Sequence, residues 1–225
     1  MVYWNREQVR KIRNKAPLEI LQLFFHKLGM QFAPFYWVQE GIFEDSQIDF
    51  GRRFEDYRCD FLEPEDIPNL LELKTWRGYS GKTLKSMFKA GNKCISTKHE
   101  GQMAAFMWID LEESNCKWYR FPLKGDEAYL FDMFTLKAFR GKGVAPYLRY
   151  KSYEILKQMG RNMCYSYTDS FNHAATRFKK KLNAKILKTG LYFAISNKHR
   201  WLWDKDIGSR HYRFRSLNKI PYCRP

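Results

Sequence analysis

Three observations on the 225-residue sequence predict a mixed α/β fold of the α+β class. Short apolar runs with strand character alternate with amphipathic stretches at helical spacing, most regularly in the second half. Hydrophobic residues make up 44% of the chain, which is enough for a buried core. No run approaches the roughly 20 apolar residues of a membrane-spanning helix, and no signal peptide is expected. The alternation also favours a pair of parallel strands.

The elements follow one another in chain order. They are a strand at 57–62, helices at 67–73 and 80–89, strands at 93–98, 103–111 and 128–136, a helix that follows a loop at 140–145 and runs to 159, a strand at 163–167, a helix at 172–182, and strands within 184–196 hinged at Gly190. Pro64-Glu65-Asp66 places a proline and two acids where a helix N-terminus favours them. Glu100-Gly101 suits the turn of a hairpin. The run 128–136 is strongly apolar apart from Asp132.

The basic residues concentrate at the two ends of the chain. There are 40 Lys and Arg residues against 24 Asp and Glu residues, for a formal net charge of +16. Residues 1–30 hold six basic residues against two acidic ones, and residues 197–225 hold eight against two. The sequence is therefore divided into a basic amphipathic N-terminal extension at 1–51, a central domain at 52–196 and a basic aromatic tail at 197–225. The charge excess predicts an anionic partner.

Each end has two interpretations. In the extension, apolar residues at helical spacing predict a helix that either packs on the main domain or lies on an anionic membrane surface; they are Leu18, Leu21, Phe25 and Leu28. An acidic, exposed connection is predicted from Glu40 to Asp49. In the tail, aromatic residues interleave with basic ones, which is typical of a segment packed on the domain or of one that stacks nucleic-acid bases. Nucleic acid is a less favoured partner than other anions, because most of the net positive charge lies outside the central domain.

The five cysteines are odd in number and widely spaced. No Cys-x-x-Cys pair occurs, so we expect neither a disulfide framework nor a zinc site, and no metal is predicted. These features favour the reducing cytoplasm, with peripheral attachment at the inner face of the membrane if the N-terminal helix binds lipid.

The run Arg140-Gly141-Lys142-Gly143-Val144-Ala145 lies between a buried-type strand and an amphipathic helix. Its glycines let the backbone approach a ligand closely. The helix that follows leaves its first N–H groups without intrahelical partners and presents the positive end of its dipole, where phosphate binds well. The loop is therefore predicted to hold a phosphate group, and the alternative is a tight connection whose charges are merely solvated.

Two runs in register resemble the signatures of the GNAT acyltransferase superfamily. Phe131–Ala145 looks like that family's signature strand, pyrophosphate loop and helix start, and Asn172–Phe178, followed by Lys181-Leu182, looks like its second signature. The order of elements is similar as well. The resemblance implies a twisted mixed sheet flanked by helices, with an N-terminal helical extension. The fourth and fifth strands of that sheet would splay apart to admit acyl-CoA, and acetyl-CoA is the default co-substrate.

The resemblance also implies which residues contact the co-substrate. The expected binding residues are Met133, Phe134, Thr135, Arg140, Gly141, Lys142, Gly143, Val144, Ala145 and Asn172. Backbone N–H groups of the 140–145 loop would hold the CoA pyrophosphate, and strand groups around residue 134 would pair with the pantetheine arm. Asn172 would lie beside that arm, and an N–H near Phe134 would serve as the oxyanion donor.

Asp132 is the first candidate for a general base. A carboxylate inside an apolar strand is costly to bury unless it is paired or has a raised pKa. A structural hydrogen-bonding role is the alternative for Asp132. Tyr129 and Glu127 are weaker candidates that would act through a water. The tyrosine that often protonates the leaving thiolate in this family falls at Lys179, so another donor or water is expected; the candidates are Tyr165, Tyr167 and His173.

The acceptor on this resemblance is a primary amine that attacks the thioester directly in a ternary complex. The basic ends resemble those of GNAT-like enzymes in bacterial surface-polysaccharide pathways, which makes a nucleotide-linked or lipid-linked amino sugar the first choice. A small amine, an amino acid or a protein is the alternative acceptor. The alternative to an enzyme is a non-catalytic module with the CoA-binding fold that binds RNA or an anionic membrane. The sequence leaves open whether the chain forms a homodimer.

Overall fold

A computed structural model describes residues 22, 24–42, 48–73, 78–116, 119–195 and 199–217 of the chain. Within them, helices pack against a nine-stranded sheet, and a further strand pair forms a separate hairpin. The strands and helices are β1 (Gln31–Glu40), β2 (Tyr57–Leu62), α1 (Ile67–Glu72), α2 (Gly81–Lys89), β3 (Lys93–His99), β4 (Gln102–Asp110), β5 (Glu113–Asn115), β6 (Arg120–Pro122), β7 (Glu127–Thr135), α3 (Val144–Gln158), β8 (Met163–Asp169), α4 (His173–Lys181), β9 (Lys185–Ala194), β10 (Arg200–Asp206) and β11 (Arg213–Ser216).

The large sheet has the strand order β11-β10-β9-β1-β8-β7-β4-β3-β2. Its neighbouring strands are antiparallel except β7 and β8, which run parallel because α3 carries the chain back between them. The mixed fold class and the parallel pair are therefore confirmed. The predicted hairpin is present between β3 and β4, where Glu100 and Gly101 have φ values of 50° and 76°. Two successive positive φ values suit the tight turn of a hairpin.

Alternate residues of the central strands point to opposite faces of the sheet and fill separate parts of the core. Ile95 and Met107 lie on the face that α3 covers, in one cluster with Leu148. Their neighbours Cys94 and Trp108 lie on the other face, in a cluster with α1 and α2. The β5–β6 hairpin packs its aromatic residues against β1.

β1 precedes the domain boundary predicted at residue 52 and nevertheless belongs to the large sheet. β1 lies between β8 and β9 and pairs with both. Phe35 and Trp37 are fully buried. Glu40, which the sequence places in an exposed acidic connection, is fully buried as well. The aromatic run before Glu40 is a central strand, whose side chains are covered on both faces of the sheet; residues 43–47 of the predicted connection lie outside the described residues.

Within the tail predicted at 197–225, β10 and β11 extend the same sheet. Asp204 is fully buried and accepts hydrogen bonds from Tyr119, at 2.7 Å, and from Arg213 and Arg215. Two of the basic residues of the tail are thus paired with a buried carboxylate. The packed interpretation is confirmed for the described part of the tail.

β9 runs as one strand through Gly190, where the sequence predicts a hinge between two strands. A Cβ at Gly190 would lie 2.6 Å from the backbone oxygen of Trp203 and 2.7 Å from the Phe35 ring. The glycine is therefore required for close packing of β10 and Phe35 on β9, not for a bend.

Most of the predicted N-terminal helix lies outside the described residues. Residues 24–27 are helical, and Phe25 packs on Phe32 and Phe193 with ring centroids 5.6 and 5.8 Å apart. These contacts favour the packed interpretation for this end of the helix. Among the described residues, no helix combines the length and the apolarity needed to cross a bilayer.

Candidate functional site

β7 and β8 pair over a short stretch and then diverge. Residues 127–129 are in register with residues 163–165, and beyond them the two strands splay around a cleft of about 1290 Å³. The loop after β7, the first turn of α3 and one side of α4 form the other walls. Because β7 and β8 are parallel, their C-terminal ends lie at the open end of the cleft. Its narrow end lies just beyond Tyr129 and Tyr165.

A β-bulge bends β7 at the cleft. Asp132 and Met133 together oppose the single residue Met107 of β4. Asp132 has a φ of 45°, in the left-handed region that aspartate tolerates better than most residues other than glycine. A bulge interrupts the ladder of hydrogen bonds and increases the local twist. The bend opens the cleft and brings Asp132 to its wall.

The 140–145 loop stands at the open end of the cleft. Gly141 and Gly143 have φ values of 77° and 82°, and Gly143 is the N-cap residue of α3. No described side chain caps this helix, so its first N–H groups remain available to an anion at the positive end of the dipole. The side chain of Arg140 is held back on β7, since its Nε donates to the backbone oxygen of Thr135 at 3.0 Å.

The structure brings the predicted site residues together around this cleft, with one exception. The residues that line it include Tyr129, Asp132, Met133, Phe134, Thr135, Arg140, Gly141, Gly143, Val144, Ala145 and Asn172. The Lys142 side chain is instead exposed, and its ammonium lies 5.5 Å from the ring centroid of Phe139. Asn172 also caps α4, because its side-chain oxygen accepts from the Ala175 N–H at 3.0 Å.

The two predicted catalytic residues have different surroundings. Asp132 is partly buried and accepts a hydrogen bond from the Tyr79 hydroxyl, which reaches the cleft from the segment before α2. Tyr129 is buried, and this burial, together with the neighbouring Cys116 and Asp132, raises its pKa well above the usual range. Tyr129 therefore stays protonated at neutral pH; it can donate a hydrogen bond but cannot act as a base.

The other sequence candidates lie around the same region. Tyr167 lines the cleft, whereas His173 is exposed at the start of α4. The Tyr165 hydroxyl donates to Glu127 Oε1 at 3.4 Å. Glu127 is buried, accepts from the Lys124 N–H at 2.9 Å, and is not among the residues that line the cleft. Only Tyr167 of this group has direct access to the cleft wall.

Sequence reasoning missed a buried ionic cluster beside the cleft. Glu40 lies 3.1 Å from Arg149 Nε and 3.0 Å from Lys179 Nζ. It also accepts hydrogen bonds from the hydroxyls of Tyr153 and Ser166. Burial by itself raises the pKa of Glu40, but the two cations and two hydroxyls outweigh it and hold the pKa at about 2. The one sequence signal is the lysine at 179, where the family often has tyrosine.

The low pKa of Glu40 predicts that the protein loses stability in acid. The folded-state pKa of about 2 lies below the ordinary value of 4.5, so this stabilisation is complete above about pH 4.5 and is lost as the pH falls toward 2. The full loss is about 3 kcal/mol. Denaturant unfolding at a series of pH values should show the wild type approaching a Glu40→Gln variant as the pH falls. A constant difference between the two proteins over that range would contradict the assignment.

The split parallel pair and the glycine-rich loop at a helix start match the fold that the resemblance to the GNAT superfamily implies. The sequence model of the acetyltransferase (GNAT) family matches residues 52–184. The chain therefore belongs to the GNAT family, whose members are N-acetyltransferases that use acetyl-CoA and an amine acceptor. No curated protein sequence matches the chain.

Solved structures share this fold at low sequence identity. The glucosamine N-acetyltransferase region of a fungal multidomain β-N-acetylglucosaminidase aligns with a TM-score of 0.57 at 15% identity, over 80% of this chain and 23% of that chain. A Drosophila protein aligns with a TM-score of 0.51 at 11% identity, over 75% and 53% of the two chains. A GNAT-family protein from Novosphingobium aromaticivorans aligns with a TM-score of 0.47 at 18% identity, over 70% and 63%. Each alignment spans less than two thirds of the other protein, and the first two likenesses show the fold alone.

Proposed function

We propose that this chain transfers an acetyl group from acetyl-CoA to the primary amine of an amino sugar that carries a diphosphate, either nucleotide-linked or lipid-linked. The observation that carries the acetyl-CoA part is the cleft between β7 and β8, with an uncapped helix N-terminus at its open end. The formal net charge of +16 supports a diphosphate-bearing acceptor, because a positive protein attracts it over distance.

The walls of the cleft fit acetyl-CoA as a co-substrate. Backbone N–H groups of the 140–145 loop bind the pyrophosphate, as anions bind at helix N-termini. Backbone groups of Met133 and Thr135 pair with the pantetheine arm, on the side of β7 that β8 leaves unpaired. Asn172, at the start of α4, lies beside the pantetheine arm. At about 1290 Å³ the cleft is larger than an ordinary small-molecule pocket, which suits an extended ligand.

The residues near the narrow end of the cleft carry out the chemical steps. Asp132 accepts a proton from the ammonium of the acceptor, which prepares the amine for direct attack on the thioester carbonyl in a ternary complex. An N–H near Phe134, beside the bulge, donates to the oxygen on which negative charge develops. Tyr129, always protonated, adds a hydrogen-bond donor at the wall.

An Asp132→Asn variant tests the base. It should lower kcat for acetyl transfer by about 10²- to 10⁴-fold, which is the usual contribution of a general base. Its affinity for acetyl-CoA, measured by calorimetry, should change little. Tyr79→Phe is the matched control, since it removes the hydroxyl that contacts Asp132 but keeps the carboxylate, and it should cost far less activity. Full turnover by Asp132→Asn would leave Asp132 with a structural role only.

A panel of acceptor substrates tests whether the acceptor is an amino sugar. Thiol release from acetyl-CoA is measured with a free amino sugar, a nucleoside-diphosphate-linked amino sugar, an alkyl amine and an amino acid. We expect the highest kcat/KM for the diphosphate-linked sugar, with a decrease at high salt. Equal or faster turnover of the alkyl amine or amino acid would overturn the sugar assignment. Binding of RNA or anionic vesicles without any thiol release would support the non-catalytic alternative.

We further propose that the protein is cytoplasmic and that Phe24, Leu28 and the residues before them attach it to the inner face of the membrane, while Phe25 packs on the domain. Phe24 and Leu28 are exposed apolar residues. Flotation with anionic liposomes is expected to fall when residues 1–21 are removed, and equal flotation would reject this anchor. Light scattering of the full chain tests the homodimer.

A further inference from the structure

The ionic cluster around Glu40 holds more positive than negative charge. Glu40 faces two cations, Arg149 and Lys179, and all three residues are buried. The nearby Tyr153 and Cys164 are neutral, because burial raises the pKa of Tyr153 well above its usual range and that of Cys164 to about 12. A buried surplus charge is costly unless a counter-charge joins it. The described residues around the cluster do not supply that anion.

The surplus charge faces the cleft. Arg149 and Lys179 both line the cleft, as does Thr168. Lys179 Nζ donates to the hydroxyls of Ser166 and Thr168, the latter at 2.6 Å. Ser166 comes directly after Tyr165, where β8 leaves β7, so Lys179 stands at the narrow end of the cleft.

The hydroxyls of Ser166 and Thr168, which both accept from Lys179, differ in the groups to which they donate. The Ser166 hydroxyl donates to Glu40. The Thr168 hydroxyl accepts from Lys179 and donates to no described residue, and it lies at the cleft wall. A chain of donors therefore leads from the ammonium of Lys179 through Thr168 into the cleft.

We propose that Lys179, acting through the Thr168 hydroxyl, protonates the departing CoA sulfur, whose developing negative charge is attracted by the surplus positive charge of the cluster until the proton is transferred. The proposal rests on the proposed function, because it requires acetyl-CoA in the cleft. As the C–N bond forms and the C–S bond breaks, sulfur takes the Thr168 hydroxyl proton and Thr168 takes one from the Lys179 ammonium. The Lys179 amine regains its proton from solvent, and the amine acceptor releases its two protons, one of them through Asp132.

The position and the acidity of Lys179 suit this task. Asn172, at the N-terminus of α4, lies toward the open end of the cleft, and Lys179 lies two helical turns further on, on the same face. Burial lowers the pKa of Lys179, against the raising effect of Glu40, to about 8. A proton donor works best with a pKa near the operating pH, and this lysine is still mostly protonated at neutral pH.

The test measures the acidity of the bound CoA thiol. Ultraviolet absorbance of the thiolate is followed against pH for CoA bound to the wild type, to Lys179→Met and to Lys179→Arg, with a CoA analogue that lacks the sulfur as the blank. We expect the thiol on the wild type to be about tenfold more acidic than in free CoA, and the thiol on Lys179→Met to titrate like free CoA. Lys179→Arg should keep the acidity because it keeps the charge. It should still lose turnover by about 10²-fold, because a guanidinium does not release its proton.

Two controls distinguish loss of the proton relay from a general disturbance of the binding site. Thr168→Val should keep the acidity of the bound thiol and lose turnover, since only the relay hydroxyl is gone. The analogue without sulfur should bind the wild type and Lys179→Met equally, which shows that the rest of the site is intact. Lys179→Gln replaces the methionine variant if that protein does not fold.

Two results would overturn the inference while leaving the proposed function in place. One is equal thiol acidity on the wild type and on Lys179→Met, and the other is a wild-type value equal to that of free CoA. A wild type that binds neither CoA nor the analogue would overturn both.

Discussion

Replacing Glu40 by leucine should lower the free energy of unfolding by about 3–5 kcal/mol. The substitution leaves Arg149 and Lys179 buried without a carboxylate, and it removes the acceptor of the Tyr153 and Ser166 hydroxyls. Most of this loss is the cost of uncompensated buried charge, not the lost attraction between the groups. Denaturant unfolding at neutral pH measures it.

Glu113→Leu is the matched control for this prediction. Glu113 pairs with Arg120 at 2.6 Å, but the Arg120 side chain is 53% exposed, and ion pairs in contact with solvent contribute about 0–1 kcal/mol. The control should therefore lose no more than about 1 kcal/mol. A loss for Glu40→Leu as small as the loss for Glu113→Leu would contradict the description of the Glu40 cluster.

Replacing Gly143 by valine should weaken acetyl-CoA binding by about 100-fold. Gly143 has a φ of 82°, and a Cβ there would lie 3.0 Å from Arg53 Nη2 and 3.5 Å from the Phe54 ring. A branched side chain in this conformation displaces the loop and the first turn of α3. Two hydrogen bonds from backbone N–H groups to a charged phosphate, at about 1.5 kcal/mol each, account for a loss of this size.

Gly160→Val provides the control for backbone strain. Gly160 follows the other end of α3, has a φ of 78°, and a Cβ there would meet no atom within 4 Å. Both variants should lose stability, because valine adopts a positive φ at a cost, but only Gly143→Val should lose affinity. Calorimetric titration of acetyl-CoA into both proteins measures the two dissociation constants. An unchanged dissociation constant for Gly143→Val would remove the loop from the proposed binding site.

The elements that sequence reasoning could predict are those specified by local patterns. β7, α3 and their glycine loop are recognisable because an apolar run, two glycines and an amphipathic stretch follow one another directly. The same holds for the β3–β4 hairpin, whose turn residues are adjacent. The two family signatures are recognisable because each is continuous in the chain.

The features that sequence reasoning missed depend on contacts between distant residues. β1 ends in an acidic residue that looks exposed, and nothing near it shows that it becomes the centre of a buried cluster. The hydroxyls that donate to Glu40 belong to Tyr153 and Ser166, which lie 113 and 126 residues further along the chain. Lys179 sits in a run of three lysines, and only the fold shows that this one of them is buried.

Calorimetric titration of acetyl-CoA into the full chain tests the central claim most directly. The wild type should bind with one saturable site per chain. Arg140→Glu should bind more weakly, because it places a negative charge beside the proposed pyrophosphate position at the start of α3. An absence of binding heat from both proteins would contradict the assignment of the cleft to acetyl-CoA.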